Sequence, residues 1–164
     1  MEPKRVANLT TNSCFACGNE NPVGLKLVFY RTENKIFTKY FIDKKFVGWE
    51  NLTHGGILTT ILDEVMAWTA IELTKKFMLT KSFQVEFLNP VPAGQEITAH
   101  GKIVEWKNER EIVLETELRD SNDIVCVRAT GNLILYDLEG FKKKKFFSDL
   151  FLEDFQKKVL ETSS

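Results

Sequence analysis

The 164-residue chain lacks an excess of either charge sign: 22 Lys+Arg stand against 23 Asp+Glu, for a net charge of -1. A balance so near neutral gives no global field to steer nucleic acid. Long apolar runs are also missing, and none approaches the ~18 residues of a membrane-spanning helix. The opening Met1-Glu2-Pro3-Lys4-Arg5 is charged and has no apolar stretch of the kind a secretory signal carries. There are only three cysteines, an odd number. Together these absences point to a reduced, cytoplasmic compartment in which disulfides are not expected. Cys14 and Cys17 are spaced as metal ligands, but no second Cys-x-x-Cys follows, and Cys126, His54 and His100 lie far apart along the chain. Zinc wants four ligands, so no metal is expected. No internal repeat is visible.

What is present fits one globular domain. The hydrophobic fraction is 43% and the charged fraction 27%, an ordinary balance for a folded domain. A chain of this length can bury roughly 68–70% of its unfolded surface. Thirteen phenylalanines predict an aromatic-rich core.

Residues 1–24 are rich in Asn, Thr, Gly and Pro and read as an irregular segment. Leu25 to Arg31 and Ile36 to Phe41 read as a hairpin around Thr32-Glu33-Asn34-Lys35. Residues 57–76 carry Ile57, Leu58, Ile61, Leu62, Val65, Met66, Trp68, Ala70 and Ile71 around nearly a full circumference, the pattern of a helix buried on all sides. Phe83, Val85 and Phe87 alternate with Ser82, Gln84 and Glu86, which is strand periodicity. Further strands are predicted at Glu96–Trp106, Glu111–Arg119 and Ile124–Tyr136. The order β-β-α-β-β-β-β is α+β, with the helix packed on one sheet face. Residues 141–164 read as an appended basic segment, Lys142 to Lys145, and a short amphipathic helix capped by Ser148 with Phe151, Phe155 and Val159 in phase. The lysine run is read as solvated; contact with coenzyme A phosphates is its functional alternative.

Between Gly55 and Ile71 the charged residues are Asp63 and Glu64 alone. A carboxylate inside a buried helix is costly unless paired or functional. The two side chains point about 100° apart, so at most one faces a narrow site. From the pattern alone they fit a solvated stripe equally well. Gly55-Gly56 is ordinary turn chemistry on one reading. On another it opens a helix, aiming unpaired N–H groups at a ligand that approaches the backbone. Asp63 falls on nearly the same helical face as Gly56. A donor for developing negative charge and a carboxylate are what ester or thioester hydrolysis requires.

The stretch His54-Gly55-Gly56-Ile57-Leu58-Thr59-Thr60-Ile61-Leu62-Asp63-Glu64 resembles the signature of hotdog-fold thioesterases of the phenylacetic-acid-degradation (PaaI) type. So do Cys14-Phe15-Ala16-Cys17-Gly18-Asn19-Glu20-Asn21-Pro22-Val23-Gly24-Leu25 and Phe87-Leu88-Asn89-Pro90-Val91-Pro92-Ala93-Gly94. The resemblance spans about residues 14–136. It implies a hotdog fold, a long helix wrapped by a curved antiparallel sheet over residues 25–140. Residues 1–24 would form a covering loop and residues 141–164 a C-terminal addition. It implies an acyl-CoA thioesterase with no cofactor, acting as a homodimer or a dimer of dimers with its sites at the subunit interface. Asp63 would be the catalytic carboxylate. Gly55 would donate the N–H that polarises the thioester carbonyl, with Gly56 as helper. Thr80 would assist from the partner subunit, and Asn51 would orient the thioester. His54 next to Gly-Gly reads as a loop-fixing residue beside the substrate, with a catalytic base as the alternative. A non-catalytic acyl-CoA-binding protein and a hotdog hydratase are the other readings. Membrane and nucleic-acid partners are not expected.

Overall fold

The computed structural model describes residues 2–33 and 35–162. Its centre is helix α1, Gly55–Thr74. Leu58, Ile61, Leu62, Val65, Met66, Trp68, Ala70 and Ile71 are buried on it. The helix begins where His54, in extended backbone, accepts the Gly56 N–H on Nδ1 at 2.9 Å. This satisfies one of the otherwise orphaned first-turn donors. It ends at Lys75, whose φ of +53° closes the turn through an N–H bond to the Ile71 carbonyl.

Around α1 runs a seven-stranded antiparallel sheet. Its strands are β1 (Lys4–Arg5), β2 (Phe29–Arg31), β3 (Ile36–Phe41), β6 (Phe77–Phe87), β7 (Glu96–Trp106), β8 (Glu111–Arg119) and β9 (Val125–Tyr136). The spatial order is β1-β2-β3-β7-β8-β9-β6. Strands β4 (Val47–Trp49) and β5 (Leu52–Thr53) form a separate two-stranded ribbon that leads into α1. Glycines let the helix lie directly on the sheet. A Cβ on Gly131 of β9 would sit 2.4 Å from Met66 Sδ, and one on Gly101 of β7 would sit 2.5 Å from Thr69 Oγ1.

Strand β6 is an edge of this sheet, paired only with β9. Its register shifts between Thr80 and Ser82. A bulge adds a residue and re-aims the side chains around it. Thus Thr80 faces α1 although Phe83 and Val85, at odd positions, pack on the same core.

Residues 137–162 fold back over the C-terminal end of α1. Helices α2 (Leu138–Lys142) and α3 (Asp149–Phe155) are followed by a π-helical turn, Gln156–Leu160. Phe141 stacks on Phe77 at 5.0 Å and on Phe147 at 5.2 Å, and Phe155 meets Trp68 at 6.4 Å. The sequence left open whether this segment docks on its own domain or on a partner; it docks on its own domain.

The elements follow the expected order; besides the unexpected β4–β5 ribbon and helix α2, there are four differences. Residues 1–24 contain strand β1 and bury Val6, Leu9, Ala16 and Cys17. The first hairpin strand is regular only over Phe29–Arg31, because Leu25 and Leu27 donate to the carbonyls of Phe15 and Ala16 instead. In the predicted hairpin turn, Thr32 N–H reaches the Lys35 carbonyl, while Asn34 lies outside the described residues. Third, β6 starts at Phe77 and so includes Thr80. Fourth, the apolar phase of α3 differs in part: Val159 is buried as its phase implies, but so are Leu152 and Leu160, while Phe151 is exposed.

Candidate active site

The Asp63 carboxylate emerges from the middle of α1 toward the open side of β6. Thr80 Oγ1 donates to its Oδ1 at 3.0 Å. Burial raises the Asp63 pKa above the usual carboxylate range, and the Thr80 hydrogen bond pulls the other way. Both residues belong to one chain. The expectation that Thr80 reaches Asp63 from a partner subunit is therefore corrected: the bulge in β6 turns Thr80 onto its own helix.

The remaining candidates gather at the start of the helix. Gly56 is not free to help, because its N–H is bound by His54 Nδ1. That contact makes His54 the helix cap, matching its loop-fixing reading. Ile57 and Leu58 donate to the His54 carbonyl at 2.9 and 3.3 Å, and among the described residues nothing accepts the Gly55 N–H. Asn51 lies on the β4–β5 turn, exposed, its carbonyl accepting the Ala93 N–H at 2.8 Å.

Beside Gly55 lies a cleft of about 370 Å³ lined by Leu52, Thr53, Leu58, Phe87, Leu88 and Pro90. Within its wall Thr53 Oγ1 is buried without a hydrogen-bond partner among the described residues. Sequence reasoning missed Thr53, since the burial of its hydroxyl leaves no mark in the residue pattern. A larger cleft, about 550 Å³, is polar, lined by Gln84, Glu86, Glu115, Glu117 and Arg128 among others, and contains none of the candidate residues.

Gly55 and Asp63 do not meet within one chain. Eight residues of helix separate them by about 12 Å along the axis. A reacting carbonyl must lie ~3 Å from both its oxyanion donor and the attacking group. Within one chain the Asp63–Thr80 pair and the Gly55 N–H with its apolar cleft therefore stand apart.

Residues 50–127 match the family model described as the thioesterase superfamily. The chain has the hotdog fold. The hotdog domain is similar to that of the E. coli PaaI protein from the phenylacetic acid degradation operon (16% identity, TM-score 0.63, covering 68% of this chain and 80% of that one). It is also similar to a hypothetical thioesterase from Streptococcus pneumoniae, crystallised with coenzyme A (15% identity, TM-score 0.60, covering 64% and 80%). By sequence it is 26% identical over 121 residues to an uncharacterised mitochondrial protein of Candida albicans, covering 71% of this chain. The chain spans about half the length of that relative, 54%. The relative's name places it in mitochondria, so it lends no support to the cytoplasmic reading of the sequence. No helix among the described residues is long and apolar enough to cross a membrane.

Proposed function

We propose that this hotdog domain hydrolyses an acyl-CoA thioester to a free carboxylic acid and coenzyme A, at a site completed by a second copy of the chain. The observation that carries this reading is the Thr80-held carboxylate of Asp63 on the same helix whose first N–H, at Gly55, has no acceptor among the described residues. The coenzyme A in the S. pneumoniae structure supports the substrate class.

The carbonyl oxygen accepts from the Gly55 N–H of one copy, which stabilises the oxyanion as it forms. Asp63 of the other copy takes a proton from water. The water oxygen bonds to the carbonyl carbon, and collapse of the tetrahedral intermediate breaks the C–S bond. The sulfur leaves as thiolate and takes up a proton. Direct attack by Asp63 on the carbonyl, with later hydrolysis of the anhydride, uses the same two groups. The cleft beside Gly55, walled by Phe87 and Leu58, suits an apolar or aromatic acyl group.

The test is a panel of acyl-CoAs assayed by free thiol release. Thiol release by the wild type, lost in Asp63→Asn, is the expected result. Binding across the panel without turnover would overturn the hydrolase reading in favour of an acyl-CoA-binding protein.

A further inference from the structure

We propose that Cys14 Sγ, Cys17 Sγ and a carboxylate oxygen of Glu64 form a binding site for one zinc ion, which ties the N-terminal loop to helix α1. Sequence spacing offered half of a metal site and no second half. The fold supplies a third ligand from 50 residues away, on a side of α1 turned about 100° from the Asp63–Thr80 contact.

The three ligand atoms lie within 4.8 Å of one another. Zn–S bonds of about 2.3 Å and Zn–O bonds of about 2.0–2.2 Å, arranged tetrahedrally, put neighbouring ligand atoms about 3.5–3.8 Å apart. Cys14 Sγ stands 3.9 Å from Glu64 Oε1. The three atoms need to close by well under the length of a bond.

The loop is built to hold its two sulfurs together. Gly18 N–H bonds the Cys14 carbonyl at 2.9 Å. The turn is tight enough that a Cβ on Gly18 would lie 2.4 Å from the Asn12 carbonyl oxygen and the Cys14 nitrogen. Asn12 braces both cysteines: its Oδ1 accepts the Cys14 N–H at 2.9 Å, and its Nδ2 donates to Cys17 Sγ at 3.6 Å.

Glu64 is supported in the way metal-bound carboxylates are. Trp68 Nε1 donates to Oε1 at 3.0 Å and fixes its orientation. Two sulfurs and a carboxylate oxygen gathered this closely form a donor set suited to a cation. The pair of thiolates selects a soft or borderline metal over magnesium or calcium. Three protein ligands leave the fourth position to solvent. A cleft of about 520 Å³, lined by Cys17, Trp68, Asn8, Leu27 and Phe29 among others, reaches the site from outside. This reading reverses the expectation of a metal-free chain.

The experiment uses the full chain, stripped with chelator and kept under a phosphine reductant so that Cys14 and Cys17 stay as thiols. It is titrated with zinc against a chromophoric chelator, and separately with cobalt(II). Expected are one zinc per chain, a rise in the thermal midpoint on zinc addition, and a thiolate-to-cobalt charge-transfer band. Cys14→Ser and Cys17→Ser should each abolish the band. Glu64→Gln should weaken zinc by at least about tenfold, the loss that removing even an outer-shell partner brings. Cys126→Ser should bind as the wild type does. Absence of the cobalt band and of zinc uptake in the reduced wild type would overturn the proposal, as would uptake that survives Cys14→Ser. The wild-type spectrum needs no variant, so a misfolded substitution leaves the test intact.

Discussion

On α1 each residue is turned about 100° from the last, and at Asp63 and Glu64 that rotation separates two chemistries. Asp63 meets the Thr80 hydroxyl, while Glu64 meets Trp68 and the Cys14 thiol. Under the hydrolase reading, Asp63→Asn keeps the shape but removes the base or nucleophile. Its kcat should fall by at least ~100-fold with folding intact, as thiol release and circular dichroism would record. Thr80→Val removes one hydrogen bond to the carboxylate, a change of about 0.5–1.5 kcal/mol. Its kcat should fall by up to roughly tenfold, and Thr80→Ser, which keeps a hydroxyl, should restore most of it. Unchanged kinetics in Thr80→Val would take Thr80 out of the site.

Among the elements, α1 and the strand alternation were legible because each obeys one period throughout. From Leu58 to Ile71 the helix is apolar on nearly every side, and all but the ends of strands β7 to β9 read directly from the residues. The parts that escaped break a period or join distant segments. The bulge at Lys81 changes the parity of β6, so only a family resemblance singled out Thr80. The i, i+4 pattern of Phe151, Phe155 and Val159 holds for Val159, which is buried, and for Phe155, which packs on the core, but it passes over Leu152; the π-helical turn at Gln156–Leu160, closed by Glu161 N–H on the Gln156 carbonyl, adds Leu160 to the buried face. The Cys14–Glu64 approach crosses 50 residues and leaves no local trace. The C-terminal elements hold to the domain through rings: Phe141 is buried between Phe77, Tyr136 and Phe147. Phe141→Ala should therefore cost about 3–5 kcal/mol. That is a drop of roughly 6–20 °C in Tm for a chain of this size, to be read by thermal unfolding. A loss below 1 kcal/mol would show that the aromatic cluster does not hold the segment.

For the whole molecule, the decisive length is the 12 Å or so between Gly55 and Asp63. If two copies complete each site, every site takes Asp63 and Thr80 from one chain and the Gly55 N–H from the other. Gly55→Pro removes that N–H with little cost to the fold. It stands at the first helical position, where proline is tolerated, and His54 already has the extended backbone that a residue before proline requires (φ -61°, ψ 130°). Phe87, 3.3 Å from the new Cβ, is exposed and can yield. Refolding Gly55→Pro together with Asp63→Asn makes half the dimers mixed. One of the two sites in each mixed dimer is then intact, so about a quarter of wild-type activity should return. Mixing Asp63→Asn with Thr80→Val should restore nothing beyond the parents' average, because each site keeps one defect. Recovery in the second mixture and not the first would reverse the assignment of chains.

Strand β6 follows α1 directly, yet among the described residues its only strand partner is β9, the last strand in the sequence. A ribosome delivers 5–20 residues per second, so β6 spends on the order of seconds in the cell before β9 exists to pair with it. Through that interval Phe83, Val85 and Phe87 alternate along a bare strand, the kind of segment that holdase chaperones recognise and that neighbouring nascent chains can seize. Polysomes crowd many such strands together. The yield of folded protein should consequently depend on translation speed between β6 and β9, and slow codons placed just after β6 should lower it.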